Sequence, residues 1–267
     1  MIFDIMSDED IACLHEFMDA GNGEAIYEFA EDNPKDVHSA DEYIALMKKS
    51  ADAGCHLAAE DLAYSFEKGK IIRFCGNDFS VPVNEEEARK YNRLAEVLKD
   101  RWEESNKGKI LVCDFNGWMQ IRCGGHVFWN SYIYHDVPIC FLSMCINKLE
   151  SGAPLAEWFC DEDNGYNISE EDGGESTRLV IRWKDDDMKD QYAEFPDYDF
   201  ERFAAQIATD IESNYFGFAL FMTRCDGYEL CMMTKELKEN VAKLRSLLSS
   251  RLAVKSDSPE STRTEVL

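Results

Sequence analysis

Two stretches of the chain match each other at a fixed offset of 33 residues, and this internal repeat constrains the fold more than any other feature. Residues 8–14, DEDIACL, align with residues 41–47, DEYIALM, and the DAG of residues 19–21 aligns with the DAG of residues 52–54. A period near 33 residues, made of two short amphipathic segments separated by a glycine, is typical of an α-solenoid. Because solenoids mainly present binding surfaces, the repeat favours binding over catalysis.

The best-defined unit spans residues 43–69 and carries small and apolar residues at fixed spacing: Tyr43, Leu46, Met47, Ala51, Gly54, Ala58, Leu62, Ala63, Phe66 and Gly69. The pattern restarts with Glu87-Ala88-x-x-Tyr91-x-x-Leu94-Ala95. This unit resembles the Sel-one-like repeat, a relative of the tetratricopeptide repeat. The resemblance covers residues 1–105 and implies an α-solenoid of two to three helical-hairpin repeats. It also implies an adaptor role, because members of that family are mostly adaptors.

The segment between Gly69 and Asn84 departs from the family pattern, because it is roughly a dozen residues longer than usual. It carries the apolar residues Phe74, Phe79 and Val81 followed by Pro82. Insertions of this kind usually map to one face of a solenoid, which is often the binding face.

The 267 residues are enough for one large or two ordinary domains, and 45% of them are hydrophobic, so buried cores are expected. Several of the ten cysteines sit in apolar runs such as ICFL at residues 139–142, where a thiol behaves as a small hydrophobe. The first ten residues lack the pattern of a signal peptide, and no apolar run approaches the ~20 residues of a membrane span. These observations predict a cytoplasmic protein with reduced cysteines.

The charge balance is strongly acidic, with a net charge of −25, and the acidic residues are concentrated in two regions, residues 1–105 and 136–201. A field of this sign repels nucleic acid and anionic membranes and attracts basic partners. We therefore expect no nucleic acid and no membrane partner. The simpler alternative is that the acidity serves solubility alone.

The sequence pattern of the second half begins with predicted strands. Residues 109–115 alternate as a strand, and the Asn116-Gly117 pair favours a hairpin turn into residues 118–123. A third strand is expected over residues 126–134 after Gly124-Gly125. A helix then begins near Val137-Pro138, with Asp136 as its N-cap, and ends at Gly152.

Further along, residues 158–169 and 177–184 predict a second hairpin, and residues 192–195 a short strand. Asp199 or a neighbour is expected to cap a helix that reaches about Ser213. Residues 216–222 fit either a strand or a helix. Residues 229–252 are expected to form a long amphipathic helix. This order favours an α+β domain with a mostly antiparallel sheet over residues 106–252. Residues 253–267 are expected to be a disordered tail.

Candidate catalytic and metal-binding motifs are weak. His135-Asp136 could be the dyad of a metal phosphohydrolase, but that chemistry needs further His and Asp ligands and the chain has only five histidines. Asp136 is better explained as a helix cap. Residues 161–165 resemble a calcium loop in composition, yet glycine stands at the fifth position where an oxygen ligand is required. Cys123 and His126 could form a nucleophilic pair, although no third group to orient them is evident. We therefore expect no catalytic residue, no metal and no cofactor.

Three acidic clusters in the second half are the better functional candidates. They lie at the ends and the turn of the two strands predicted over residues 158–169 and 177–184, so that the first and third clusters share the open end and the second occupies the tip. Like charges held close together are costly unless a cationic partner relieves them. The alternative is that these are solvated loops. The expected partner-binding residues are Asp161, Glu162, Asp163, Glu170, Glu171, Asp172, Asp185, Asp186 and Asp187.

The leading functional prediction is protein binding. In general character the second half resembles the acidic, single-copy immunity proteins that neutralise bacterial polymorphic or contact-dependent toxins. That resemblance implies direct binding to a toxin domain, which is expected to be basic. Two alternatives remain open, namely a general adaptor or scaffold in signalling or secretion, and a hydrolase of unknown substrate.

Overall fold

The computed structural model describes residues 7–32, 37–69, 71–74, 77–113, 118–131, 136–159, 165–174, 176–184, 187–223 and 229–256. The chain divides into two compact units. The first comprises residues 1–108 together with Glu229–Cys231, and the second comprises residues 109–228 and 232–267. The first unit is mostly helical and the second combines antiparallel sheets with further helices, so the α+β prediction is confirmed.

Five helices make up most of the first unit: α1 (Asp8–Asp19), α2 (Gly23–Asp32), α3 (Ala40–Asp52), α4 (His56–Lys68) and α5 (Glu85–Ser105). Four of them begin after a polar residue whose side chain accepts a hydrogen bond from a backbone N–H of the first turn. These residues are Ser7 for α1, Asn22 for α2, Ser39 for α3 and Asn84 for α5. Such caps satisfy N–H groups that have no partner within the helix. Each helix packs against the next one along the chain.

Residues 33 positions apart occupy equivalent environments in the first two helical pairs. Ala25 and the equivalent Ala58 are both fully buried. Ala30 is fully buried, and the equivalent Ala63 is almost completely buried. Gly21 and Gly54 end the first helix of each pair with positive φ angles of 81° and 102°, a conformation that favours glycine. The alanines face the core because a methyl group is the largest side chain that lets neighbouring helices approach closely.

Hydrogen bonds connect successive helices of this unit. The Ser50 hydroxyl of α3 donates to the Gly23 carbonyl of α2 at 2.6 Å, and both groups are buried. The Tyr27 hydroxyl of α2 donates to Asp61 of α4 at 3.1 Å. The two helical pairs are therefore joined by polar contacts in addition to apolar packing.

The predicted insertion between Gly69 and Asn84 contains a two-stranded antiparallel hairpin. Its strands are β1 (Ile71–Phe74) and β2 (Asn77–Ser80), with Ile71 opposite Ser80. Val81, which follows the hairpin, is buried in the helical core.

The second unit begins with a three-stranded antiparallel sheet of β3 (Leu111–Cys113), β4 (Trp118–Cys123) and β5 (His126–Ser131), in the order β3-β4-β5. The three predicted strands are confirmed, with described parts shorter than predicted. The predicted Asn116-Gly117 turn and residues 132–134 lie outside the described residues.

A four-stranded antiparallel sheet follows, in the order β6-β7-β8-β9. Its strands are β6 (Ala156–Phe159), β7 (Tyr166–Asp172), β8 (Thr177–Lys184) and β9 (Asp190–Glu194). The β7–β8 hairpin agrees with the prediction. The single strand predicted over residues 158–169 is wrong, because Trp158 lies opposite Asn167 and Phe159 opposite Tyr166. The chain therefore reverses between them, and the segment forms two strands.

Four helices complete the second unit: α6 (Val137–Ser151), α7 (Phe200–Glu212), α8 (Tyr215–Thr223) and α9 (Leu230–Ser256), whose residues from Met232 onward belong to this unit. Asp199 caps α7 as predicted, accepting from the Arg202 N–H at 2.8 Å. Asp136 precedes α6, but its side chain makes no capping hydrogen bond. The ambiguous segment at residues 216–222 is a buried helix, α8. Helix α9 continues to Ser256, four residues into the predicted tail, and residues 257–267 lie outside the described residues.

A buried carboxylate fixes α7 to the three-stranded sheet. Asp210 is fully buried and accepts hydrogen bonds from the backbone N–H groups of Ile110 and Leu111 at 2.7 and 3.0 Å. The Gln206 amide donates to its other oxygen at 2.7 Å. Burial raises the pKa of Asp210, although these donors act in the opposite direction. The three donors let a buried charge persist at this position.

Candidate functional site

The two faces of the four-stranded sheet differ sharply in composition. Side chains on one face are buried in the core of the second unit: Phe159, Tyr166, Ile168, Leu179, Ile181 and Ala193. Successive side chains of a strand point to opposite faces. The residues between these buried ones therefore lie on the other face, where Val180 is also buried but solvent reaches most of the other side chains.

One row of residues crosses all four strands on that second face. Trp158 of β6 is opposite Asn167 of β7, Asn167 is opposite Arg182 of β8, and Arg182 is opposite Tyr192 of β9. All four are exposed, with 52% of Trp158 and 59% of Tyr192 accessible to solvent. We call this set, Trp158, Asn167, Arg182 and Tyr192, the exposed row.

Arg182 is held at the centre of the exposed row. Its Nε and Nη2 donate to the two carboxylate oxygens of Glu171 at 2.6 and 2.7 Å, and its guanidinium carbon lies 5.6 Å from the centre of the Tyr192 ring. This bidentate pairing lowers the pKa of Glu171 and raises that of Arg182. Farther along the same face, Arg178 donates to Glu194 at 2.6 Å. A planar guanidinium bonded at two points is fixed in orientation as well as in charge.

An open pocket of about 440 Å³ lies beside Arg182. Its lining residues are Trp158, Gly165, Asn167, Arg182, Trp183, Lys184, Asp190 and Gln191. The Trp158 ring lies against Gly165, where an added Cβ would stand 2.7 Å from Cε2 of the indole. Only glycine leaves room for the ring in this position. The indole is thus packed on one side while about half of the residue remains open to solvent.

Glu170 serves the fold. Its side chain is only 4% exposed and lies 2.6 Å from the ammonium of Lys148 on α6. It also accepts from the Leu155 N–H at 3.1 Å and from the Tyr198 hydroxyl. Burial, followed by this hydrogen bond, raises the pKa of Tyr198. Glu170 therefore ties α6, the start of β6 and the segment before α7 to β7.

The other predicted partner-binding residues have different environments. Glu171 is engaged by Arg182, and Asp172 accepts from the Gly174 N–H at 2.8 Å in the turn between β7 and β8. Asp187 is exposed and pairs with Lys189 at 3.0 Å. Five residues lie outside the described residues: Asp161, Glu162, Asp163, Asp185 and Asp186. The register of the hairpin places Asp172 beside the turn, as predicted.

Cys123 and His126 are register partners across the two-residue Gly124-Gly125 turn, so their side chains share one face of the sheet. Burial, with a smaller effect from the Glu194 carboxylate, raises the pKa of Cys123 to about 12. The thiol is therefore protonated at neutral pH, the opposite of what an activated nucleophile requires. His126 packs against Trp183, with their ring centres 5.3 Å apart.

Metal ligation finds no support within the described part of the chain, where no three His, Cys, Asp or Glu side chains come together as a metal site would require. His135 of the candidate dyad lies outside the described residues. Among the seven described cysteines, no two form a disulfide with each other.

The exposed row was not predicted from the sequence. Trp158 and Tyr192 look like ordinary core aromatics of their strands, and their common row depends on strand pairing that the sequence does not specify. One sequence signal could have indicated this face, namely the alternation of residues in β8. Arg178 and Arg182 lie on the same face of that strand, on either side of the buried Val180. That alternation indicates that one face of β8 carries cations.

Comparison with known proteins gave no relative. No protein-family model matches the chain, and no curated protein or solved structure is significantly similar to it. In the described residues, no helix combines the length and the apolar character needed to cross a membrane.

Proposed function

We propose that this chain is a cytoplasmic protein-binding protein with no catalytic activity of its own, and that the exposed row forms the centre of its contact surface. The observation that carries the proposal is the row itself. Tryptophan, tyrosine and arginine are the residues most enriched at binding hot spots, and one of each stands in this row, with Asn167 between Trp158 and Arg182.

The ordering of the exposed row supports this role. Arg182 is fixed by Glu171 and Tyr192, and Trp158 rests on Gly165, so these side chains lose little further freedom on binding. Side chains that are ordered beforehand bind more tightly, because less conformational entropy is lost in the complex. The face also combines ion pairs with aromatic surface, as the mixed character of protein interfaces requires.

The specific class we propose is an immunity protein that neutralises a basic bacterial toxin domain by direct contact. Its support is the net charge of −25, together with the net charge of −13 in residues 136–201, which surround the exposed row in the sequence. Such a field accelerates encounter with a cationic partner and disfavours nucleic acid. Asp187 is proposed to act in this steering, together with Asp161, Glu162, Asp163, Asp185 and Asp186.

A second candidate, a Sel-like adaptor, is favoured by a different observation. Equivalent alanines 33 residues apart are buried in both helical pairs, and glycines with positive φ recur at the same offset. We propose that helices α1–α5 are two to three stacked repeats of a short α-solenoid. In this alternative the partner binds the helical unit, and the sheet face is not involved.

Hydrogen exchange on the full-length chain distinguishes the two candidates. The partner to test first is any secreted toxin encoded by the gene adjacent to this one. For an immunity protein we expect a stoichiometric complex, loss of toxicity, and slower amide exchange in strands β6–β9. Protection confined to α1–α5 would favour the adaptor instead. Absence of a complex with the adjacent toxin, or a complex that leaves the toxin active, would contradict the immunity proposal.

A further inference from the structure

We propose that strand β5 is the contact surface for a second copy of this chain, with the two β5 strands paired antiparallel about a twofold axis. The strand belongs to the three-stranded sheet and is separate from the exposed row, so the inference goes beyond the proposed function and does not depend on it. Three features of β5 carry it: an unprotected edge, outward-facing backbone groups that are self-complementary, and the lack of charge.

The other edge strands of the second unit are protected against pairing with another chain. Within the described residues, the edges of the two sheets are β3, β5, β6 and β9. At β3 the Leu111 N–H donates to Asp210 of α7 at 3.0 Å, and at β6 the Trp158 N–H donates to the Glu157 carboxylate at 3.1 Å. Strand β9 begins and ends with a carboxylate side chain. Covering helices and edge charges of this kind keep sheet edges from adding a further strand.

Strand β5 has no such protection in the described part of the chain. Its six residues, His126–Ser131, include no aspartate, glutamate, lysine, arginine or proline. Val127 and Trp129 lie on the same face of the strand and are 46% and 43% exposed. An edge strand with exposed apolar side chains and no charge is a template for another strand.

The hydrogen bonds of the sheet show that Val127 and Trp129 turn their backbone groups outward. On β4, the Arg122 N–H donates to the Ile110 carbonyl at 2.9 Å, and so points toward β3 and away from β5. Val127 is directly opposite Arg122, and the two residues of such a non-hydrogen-bonded pair both face away from each other. The N–H and C=O of Val127 therefore point away from β4, as do those of Trp129 two residues later. Within the described residues, no backbone group binds either residue on that side.

These outward groups are self-complementary. When two β5 strands pair antiparallel with Phe128 on the twofold axis, Val127 of each copy lies opposite Trp129 of the other. Each such pair exchanges both of its backbone hydrogen bonds. It also brings a β-branched side chain against an aromatic one, which is a favourable cross-strand pair. A twofold interface requires a patch that matches itself in this way.

The charge of the chain favours a second copy at this strand. Two chains that each carry a net charge of −25 repel each other, so they meet at least cost where neither presents a carboxylate. The nearest charged side chain of β4 in the register is Arg122, opposite Val127, which is a cation. A basic toxin gains no attraction from such an edge. Because a contact of one strand from each copy is small, we expect a weak, concentration-dependent dimer.

The test measures dimerisation of the full-length protein by sedimentation equilibrium, from micromolar to millimolar protein. Val127→Glu and Trp129→Lys should each raise the dimer Kd at least ~10-fold, because each places a charge against an apolar side chain. A mixture of the two variants should associate about three- to fivefold more tightly than either alone, because the new carboxylate then lies opposite the new ammonium. Leu252→Lys, which replaces an exposed apolar side chain of α9, is the control and should leave the Kd unchanged.

Amide hydrogen exchange gives a second readout. The Val127 and Trp129 amides should exchange more slowly as the protein concentration rises, whereas the Phe128 amide, which faces β4 in the single chain, should not change. A protein that stays monomeric at millimolar concentration, or a mixture that associates no better than the single variants, would overturn the inference. Protection of Val127 and Trp129 only when the toxin is added would assign this edge to the toxin and overturn it as well. The toxin affinity of the exposed row is a separate measurement, so the proposed function stands or fails independently.

Discussion

At the scale of single residues, two adjacent carboxylates of β7 have opposite roles. Glu170 points into the unit, where it binds Lys148, Tyr198 and the Leu155 N–H, whereas Glu171 points to the exposed face and binds Arg182. Both residues were predicted to bind a partner. The alternation of a strand indicates that they face opposite sides. It also indicates which of them faces the core, because Glu170 lies on the same face of β7 as the buried Tyr166 and Ile168.

We predict that Glu170→Ala destabilises the protein by about 3 kcal/mol, because it leaves the Lys148 ammonium and the Tyr198 hydroxyl without their shared acceptor. Glu171→Ala is the matched control, and its cost should stay below about 1 kcal/mol, since its ion pair is exposed to solvent. Urea unfolding of the two variants measures both values. Similar losses in both would show that Glu170 is no more structural than its neighbour.

Asp210 should make the free energy of unfolding depend on pH in a defined direction. Burial raises its pKa above that of an unfolded aspartate, so the folded state holds the proton more tightly. The free energy of unfolding therefore contains a favourable contribution at low pH that is lost as the pH rises through the raised pKa. Asp210→Asn removes this titration and keeps an acceptor for the Ile110 and Leu111 N–H groups.

The expected readout is the stability of Asp210→Asn minus that of the wild type, measured by urea unfolding at several pH values from 4 to 7. This difference should become more favourable to the variant as the pH rises, because only the wild type must bury a charge. A difference that moves in the other direction would mean that the three donors outweigh burial and lower the pKa.

At the scale of elements, the helical repeat makes a prediction about packing. Ala58 is fully buried between helices, whereas Ala45 of α3 is exposed. Ala58→Leu should cost about 1–3 kcal/mol by overpacking the helix contact. Ala45→Leu should change stability by less than about 0.5 kcal/mol. Thermal or urea unfolding of both variants tests the repeat register, and equal stability of the two would contradict it.

Local sequence signals, such as helix caps and turn residues, predicted most helices and strands. They failed where the structure depends on which strands pair with each other. The cap at Asp199 and the turn after Asp172 depend on neighbouring residues only, so both follow from the sequence. The reversal between Phe159 and Tyr166 and the row that joins Trp158 to Tyr192 depend on the pairing of β6 with β7 and of β8 with β9. Periodicity within a single strand contains no information on such pairings, so the candidate site emerged only from the sheet.

At the scale of the whole molecule, charge should govern the rate of association. Replacing Asp161, Asp163, Asp185 and Asp187 together by Asn should slow association with a basic partner more than it speeds dissociation, because exposed charges act chiefly on encounter. The wild-type rate should fall steeply with salt, since charges are screened over about 8–10 Å near physiological ionic strength. Stopped-flow kinetics at two salt concentrations measures both effects. An association rate that does not depend on salt would exclude a steering role for these carboxylates.

If the exposed row is the contact surface, a double variant that lacks its two aromatic side chains should bind the partner much more weakly. Trp158→Ala combined with Tyr192→Ala removes two exposed aromatics of the four-stranded sheet, and Val127→Ala combined with Trp129→Ala is the control on the three-stranded sheet. Calorimetry with the toxin should show at least a ~30-fold loss of affinity for the first variant, the loss expected for a hot spot of about 2 kcal/mol. The control should bind like the wild type. Unchanged affinity of the first variant, with its fold intact by circular dichroism, would show that the exposed row is not the contact surface.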